Sequence, residues 1–193
     1  MHRYSLAVAG LLLALPLTGL AAQAAEGNPT AVLVGGPNEG TRAPEFSLPW
    51  ATKETVGGAD SPYELWRDRG KTVVLAFYPA DFTKGCTAEL QTFADQYDTL
   101  FGPDVVVLGV SSDSLESHKR FAASLDLPFR LLSDPDLTVA RKYASNGGEG
   151  RAKRTVFVIG PDGRVKYRNM KFNALDPKDY SALGSAVKAA RGG

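Results

Sequence analysis

The stretch TVVLAFYPADFTKGCTAELQTFADQYDTLFGPDVVVLGV, residues 72–110, decides the fold. It holds two almost wholly apolar runs, 72–78 and 104–110, joined by a segment of helical period. Continuous β-branched runs of this length suit parallel strands covered on both faces, and parallel neighbours need a crossover between them. The crossover is in place: Leu90, Phe93, Tyr97, Leu100 and Phe101 fall on one helical face. The stretch is a βαβ unit.

The segments that follow extend this unit. In SSDSLESHKRFAASLDL, Asp113 followed by Glu116 forms a capping-box pattern, and Leu115, Ala122 and Leu125 line one face. LLSDPDLTVARKYAS offers Asp134 as a helix N-cap with Pro135 at the first helical position. RTVFVIGPDGRVKYR predicts a β-hairpin turning at Gly160 to Gly163. A last helix is expected from near Asp176 and Pro177 to Gly192. The order βαβα(α)ββα, with a hairpin after the parallel part, predicts an α/β thioredoxin-like fold with a mixed central sheet flanked by helices; a generic doubly wound domain is the alternative.

The first residues have the three-part form of a secretory signal: Arg3, an apolar run from Leu6 to Leu20 broken by Gly10, Pro16 and Gly19, then Ala22, Gln23 and Ala24. The run is short for a membrane span. Residues 1–24 are therefore read as a signal peptide cleaved after Ala24 or Ala25, and the chain as exported, periplasmic or secreted, with no membrane attachment after cleavage. Residues 25–41, rich in Gly, Pro and Asn, form an irregular lead-in in which AVLV can add an edge strand, and 42–193 are one domain.

Composition excludes several classes of partner. With 22 Lys plus Arg against 21 Asp plus Glu, the scattered charges leave neither a nucleic-acid footprint nor a polybasic membrane patch. One cysteine and two histidines, His2 and His118, cannot assemble a soft-metal cluster. No metal and no cofactor is expected. His118 reads as part of a solvated helical face among charged neighbours, and Asp81 as solvent decoration.

The lone thiol, Cys86, falls between a strand end and the first turn of a helix, where unpaired N–H groups and the helix dipole favour negative charge. Burial as a small apolar residue is the ordinary fate of a free cysteine, but Cys86 fits the apolar stripe only marginally. Thr83 has an ordinary role as N-cap, its hydroxyl accepting from the backbone, and Pro79 as a strand terminator. Their joint spacing, P-x-x-x-T-x-x-C, says more than any of the three alone.

The segment FYPADFTKGCTAEL closely resembles the active-site segment of peroxiredoxins, most of all the Q-type, or bacterioferritin-comigratory, subgroup. The likeness continues in APEFSLP (43–49), in VSSDSLESHKRFAASLDLPFRLLSD (110–134) and in RTVFVIGPDGRV (154–165). It implies a thiol-dependent peroxidase acting on hydrogen peroxide or organic hydroperoxides, with Cys86 as peroxidatic nucleophile, Thr83 bonding the peroxide, Pro79 shielding the thiolate and Arg154 as the distant arginine. The subgroup also leans to a monomer. Lowering a thiol pKa from ~8.5 to ~6 raises the thiolate fraction at neutral pH by a factor of tens, about 2 kcal/mol. Any larger acceleration must come from donors aimed at the peroxide oxygens.

Two departures stand out. Lys84 takes a place where the Q-type pattern has proline, and Gln91 stands where many members carry a resolving cysteine. Turnover must then be of the one-cysteine type, with an external thiol from a thioredoxin-like protein, a small molecule or a second subunit's Cys86. A thioredoxin-like thiol-disulfide enzyme is the nearest rival. It needs C-x-x-C, but the second place holds Glu89, and the Arg154-Thr155 site lacks the usual proline. An exported thioredoxin-fold binding module with an incidental thiol is the alternative from another class.

Overall fold

The computed structural model describes residues 35–192 and the first two residues of the chain. The signal segment, the expected cleavage point and the AVLV strand lie outside the described residues. Among the described residues no helix is long and apolar enough to cross a membrane.

The elements are β1 (Ser47–Leu48), β2 (Trp50–Ala51), β3 (Val56–Gly57), β4 (Tyr63–Glu64), a 3-10 turn (Leu65–Asp68), β5 (Thr72–Phe77), α1 (Lys84–Asp95), α2 (Tyr97–Leu100), β6 (Val105–Ser111), α3 (Leu115–Ser124), β7 (Arg130–Ser133), α4 (Thr138–Lys142), β8 (Thr155–Ile159), β9 (Val165–Asn169) and α5 (Pro177–Arg191). The main sheet runs β3-β2-β7-β6-β5-β8-β9, and β1 pairs with β4 separately. Strands β5, β6 and β7 are parallel; β8 joins β5 antiparallel and β9 closes the hairpin. This is the mixed, helix-flanked sheet expected from the sequence.

Strand β5 is buried along its whole length because both faces are covered. Side chains alternate across a strand, so Val74, Ala76 and Tyr78 enter the core beneath α1, α3 and α5, with Leu90, Phe93, Phe121 and Leu183. Val73, Leu75 and Phe77 enter the opposite core with Tyr143, Phe157 and Leu65. Phe93 is the hub of the first core, its ring meeting Phe101 at 5.3 Å, Tyr180 at 5.9 Å and Phe172 at 6.1 Å.

Several local expectations need correction. Strand β7 was absent from the expected order: four residues are too short to show a period, and pairing with β6 and β2 makes them a strand. The crossover helix breaks at Gln96 into α1 and α2. The N-cap of α3 is Ser114, whose hydroxyl accepts from Ser117 N–H. Asp113 instead accepts from Asp81 N–H at 2.9 Å and from the Ser111 hydroxyl at 2.6 Å. The N-cap of α4 is Leu137, at φ 52°, and the helix starts at Thr138, so Pro135 lies before it rather than at its first position; the Asp134 side chain still reaches across the turn to accept from Val139 and Ala140 N–H at 3.0 and 2.8 Å. At the last helix Asp176 accepts from Lys178 N–H, and Pro177 takes the first helical position.

Phe93→Ala should destabilise the chain by about 3–5 kcal/mol, since it empties an aromatic hub that its neighbours cannot refill. Urea unfolding checks this: the midpoint falls with the m-value unchanged. A shift under about 1 kcal/mol would mean that the hub collapses to fill the space.

Candidate active site

The register β5 to β8 pairs Phe77 with Thr155. Arg154, one residue before β8, therefore lies beside the point where the chain leaves β5 for Tyr78 and Pro79. Tyr78 N–H makes the last ladder bond, to Val110 C=O at 3.0 Å, and Pro79 has no donor with which to continue it. The chain turns through Ala80, Asp81 and Phe82 into α1, with Phe82 in the left-handed region at φ 57°. A bulky residue persists there only where its surroundings hold it.

Helix α1 begins with Lys84, Gly85 and Cys86, and its first backbone bond runs from Thr87 N–H to Thr83 C=O at 2.8 Å. The N–H groups of the three residues before Thr87 thus precede the helical ladder and point toward its N-terminal end. Thr83 has extended N-cap backbone angles, but its hydroxyl makes no cap bond. It donates to Ala80 C=O at 3.0 Å. With its proton engaged, the Thr83 oxygen is left as an acceptor.

Cys86 is fully buried, against the expectation that it fits the apolar stripe poorly: it packs in the same core as Leu90 and Phe93. Among the described residues one side chain hydrogen-bonds to its sulfur. Arg154 Nη2 donates to Cys86 Sγ at 3.3 Å, and Arg154 Nη1 donates to Glu89 Oε2. Cys86 and Glu89 are three residues apart, on one face of α1, so a single planar guanidinium spans both. Gly85 eases the approach, because a Cβ there would sit 3.1 Å from Arg154 Nη2 and push the guanidinium back by a few tenths of an ångström.

The charges in this cluster hold one another. Burial raises the Glu89 carboxyl to about 7, against the pull of the Arg154 guanidinium, which favours its charged form. Burial alone would lower Arg154, but the negative charge of Glu89 and the bond to Cys86 outweigh it, and its pKa stays raised. Glu89 Oε1 has no hydrogen-bond partner among the described residues. Arg154 is thus held as a cation beside a buried sulfur by a carboxyl group whose one partner among the described residues is that guanidinium.

The structure brings Cys86 and Arg154 into direct contact and places Pro79 and Thr83 half-buried in the loop just before α1. Lys84 is exposed. Sequence reasoning missed Glu89, which it considered only as a failed second cysteine; the available signal was an acid one helical turn after the thiol. The readings of Asp81 and His118 are overturned, for both are buried. His118 Nδ1 lies 3.0 Å from Asp81 Oδ2, and burial of two polar groups is tolerated because each satisfies the other. Such an arrangement can hold a thiolate away from bulk water and offer N–H donors to an oxygen bound in line with the sulfur.

Comparison with known proteins shows the family. The AhpC/TSA family model matches residues 40–168. The putative peroxiredoxin bcp of Coxiella burnetii is 39% identical over 133 residues, 65% of this chain and 83% of that protein. The chloroplastic peroxiredoxin Q of Triticum aestivum is 35% identical over 161 residues, 82% of this chain and 69% of that protein. Among solved structures, peroxidoxin BcpB of Mycobacterium tuberculosis superposes with a TM-score of 0.68 at 28% identity, covering 80% of this chain and 99% of that one. The bacterioferritin comigratory protein of Xanthomonas campestris, described for its alkyl peroxide reduction activity, gives 0.62 at 27% identity, covering 75% and 90%.

The raised Glu89 carboxyl sets a pH dependence of stability. Between the ordinary value of 4.5 and about 7, the folded chain keeps a proton that the unfolded chain has lost, so this group's contribution falls as pH rises through that window. The unfolding free energy of the native chain relative to Glu89→Gln should therefore drop by about 3 kcal/mol from pH 4.5 to pH 7. Denaturant titrations of both chains across that range check it; a flat or rising difference contradicts it.

Proposed function

Because the chain belongs to the AhpC/TSA family and is a peroxiredoxin, a thiol-dependent peroxidase of thioredoxin-like fold, we propose that Cys86 is its peroxidatic nucleophile and its only redox thiol. The observation that carries this reading is the contact of Arg154 Nη2 with the buried Cys86 sulfur at 3.3 Å. The family match does not favour a binding module with an incidental thiol.

In the proposed reaction the Cys86 thiolate attacks one oxygen of hydrogen peroxide or an organic hydroperoxide. A sulfur–oxygen bond forms as the oxygen–oxygen bond breaks, sulfur gives up two electrons, and the leaving oxygen departs as water or an alcohol once protonated. Arg154 and the Cys86 N–H donate to the oxygens on which charge grows. The Thr83 oxygen, its own proton held by Ala80 C=O, accepts from the peroxide O–H. Pro79, half-buried at the loop entrance, keeps water from the sulfur.

The cycle closes through a thiol from outside the chain, since Gln91 stands at the resolving position and no second cysteine exists. An incoming thiolate displaces hydroxide, which leaves as water on protonation, and forms a mixed disulfide that a second thiol then resolves. Cys86 is fully buried, so the first turn of α1 must open to admit that thiol. A thioredoxin-like protein or a small thiol fits this step, in a monomeric chain exported by residues 1–24 and acting in the periplasm or outside the cell.

Stopped-flow consumption of hydrogen peroxide by the reduced chain tests the assignment. Cys86→Ser should abolish it. Arg154→Met should slow it by about 10²–10³, as loss of a donor to the developing negative charge does. Loss of thiolate alone accounts for a factor of only about 30. A Cys86→Ser chain that still consumes peroxide, or an Arg154→Met chain within a few-fold of the native rate, overturns the respective role.

A further inference from the structure

The buried pair of His118 and Asp81 takes no part in the chemistry described so far, yet it holds the loop that does. Helix α3 meets the loop between β5 and α1 at two points. His118 Nδ1 lies 3.0 Å from Asp81 Oδ2 and 3.2 Å from Oδ1. One turn along α3, Phe121 packs its ring 4.9 Å from that of Phe82. These two loop residues are the ones between Ala80 and Thr83, at the centre of the segment carrying Pro79 and Thr83.

Ordinary core packing does not account for this arrangement. The other ring nitrogen of His118 is anchored at 3.1 Å on Leu132 C=O, in β7. A carbonyl only accepts, so Nε2 carries a proton, and the Nδ1 to Asp81 contact is a bond that carries a second one, on the ring or on the carboxyl. The Tyr78 hydroxyl donates to Asp81 Oδ1 at 2.7 Å, and Asp81 N–H donates to Asp113 Oδ2 at 2.9 Å. Ties from the residue just after β5, from the loop after β6, and from α3 backed by β7 therefore converge on one loop residue. They hold Phe82 at φ 57°, a conformation that a bulky side chain rarely adopts.

We propose that His118 is a positioning residue of the peroxidatic site: through Asp81 it fixes the Pro79 to Thr83 loop beside Cys86, and so sets how a peroxide is held rather than how reactive the thiol is. The proposal rests on the reading of Cys86 as the nucleophile. It separates two properties that a merely structural residue would move together. Peroxide needs the placed Thr83 oxygen and the Pro79 wall, whereas an alkylating reagent such as iodoacetamide needs only the sulfur and a way in.

The test compares, on the full reduced chain, the rate of hydrogen peroxide consumption with the rate of Cys86 alkylation by iodoacetamide. His118→Leu should slow peroxide consumption about 30-fold, the scale expected for reacting groups displaced by a fraction of an ångström, with alkylation unchanged or faster. His118→Asn, whose amide can still donate to Asp81, should recover peroxide consumption to within about fivefold of native. If His118→Leu does not fold, Asp81→Asn takes its place, with an expected fall of about tenfold in the peroxide rate alone. The proposal is overturned by a folded His118→Leu or Asp81→Asn chain with the native peroxide rate, by an equal fall in both rates, or by a His118→Asn chain no faster than His118→Leu. A native chain that consumes peroxide no faster than a free thiol overturns the Cys86 reading itself, and with it this inference; a fast native chain with a fast His118→Leu overturns the inference alone.

Discussion

A single guanidinium sits between a buried sulfur and a buried carboxylate, and the site is organised around it. Arg154 contacts Cys86 through one nitrogen and Glu89 through the other. Among the described residues neither partner has an equivalent substitute: Cys86 is fully buried, and Glu89 has a second oxygen with no bond of its own. Removing one member of such a cluster leaves a buried charge or donor exposed to a low dielectric, which is why the three residues act as one unit. Their meeting requires the β5 to β8 register, which delivers Arg154 to the strand end. It also requires the three-residue spacing along α1, and the missing Cβ of Gly85 eases it.

The same frame explains what sequence reasoning could and could not see. Strands β5 and β6 and the helix between them were legible because both strand faces are covered, which enforces unbroken apolar runs. The hairpin and the last helix carried explicit turn and cap residues. Strand β7 was not legible, since four residues gain their conformation from neighbours on both sides. His118 was misjudged through the charge of Glu116, Lys119 and Arg120 around it. Its spacing told the truth: Leu115, His118, Ala122 and Leu125 fall on one stripe, and that stripe faces the core.

At the site, the resemblance to peroxiredoxins pointed to Cys86, Pro79 and Arg154, but it carried no hydrogen-bond direction. Thr83 was expected to accept from the backbone as a cap; it donates to Ala80 instead, which settles which of its lone pairs and protons remain for a ligand. Glu89 went unseen because its role exists only once Arg154, 65 positions later and just ahead of β8, arrives beside it. Contacts of that kind depend on topology and leave no local trace.

On the proposed reading of Cys86, burial divides the cycle into two halves with opposite demands. Oxidation wants Cys86 enclosed, close to Arg154 and away from water; reduction wants the sulfur within reach of a thiol that this chain does not possess. The account is tested most directly by intact-mass analysis of the reduced chain after one equivalent of hydrogen peroxide, before and after addition of a dithiol. It predicts the gain of one oxygen atom on Cys86 in a chain that remains uncrosslinked, persisting until the dithiol is added and then lost. A chain that gains no oxygen, that becomes a covalent dimer, or that returns to its reduced mass without added thiol contradicts it.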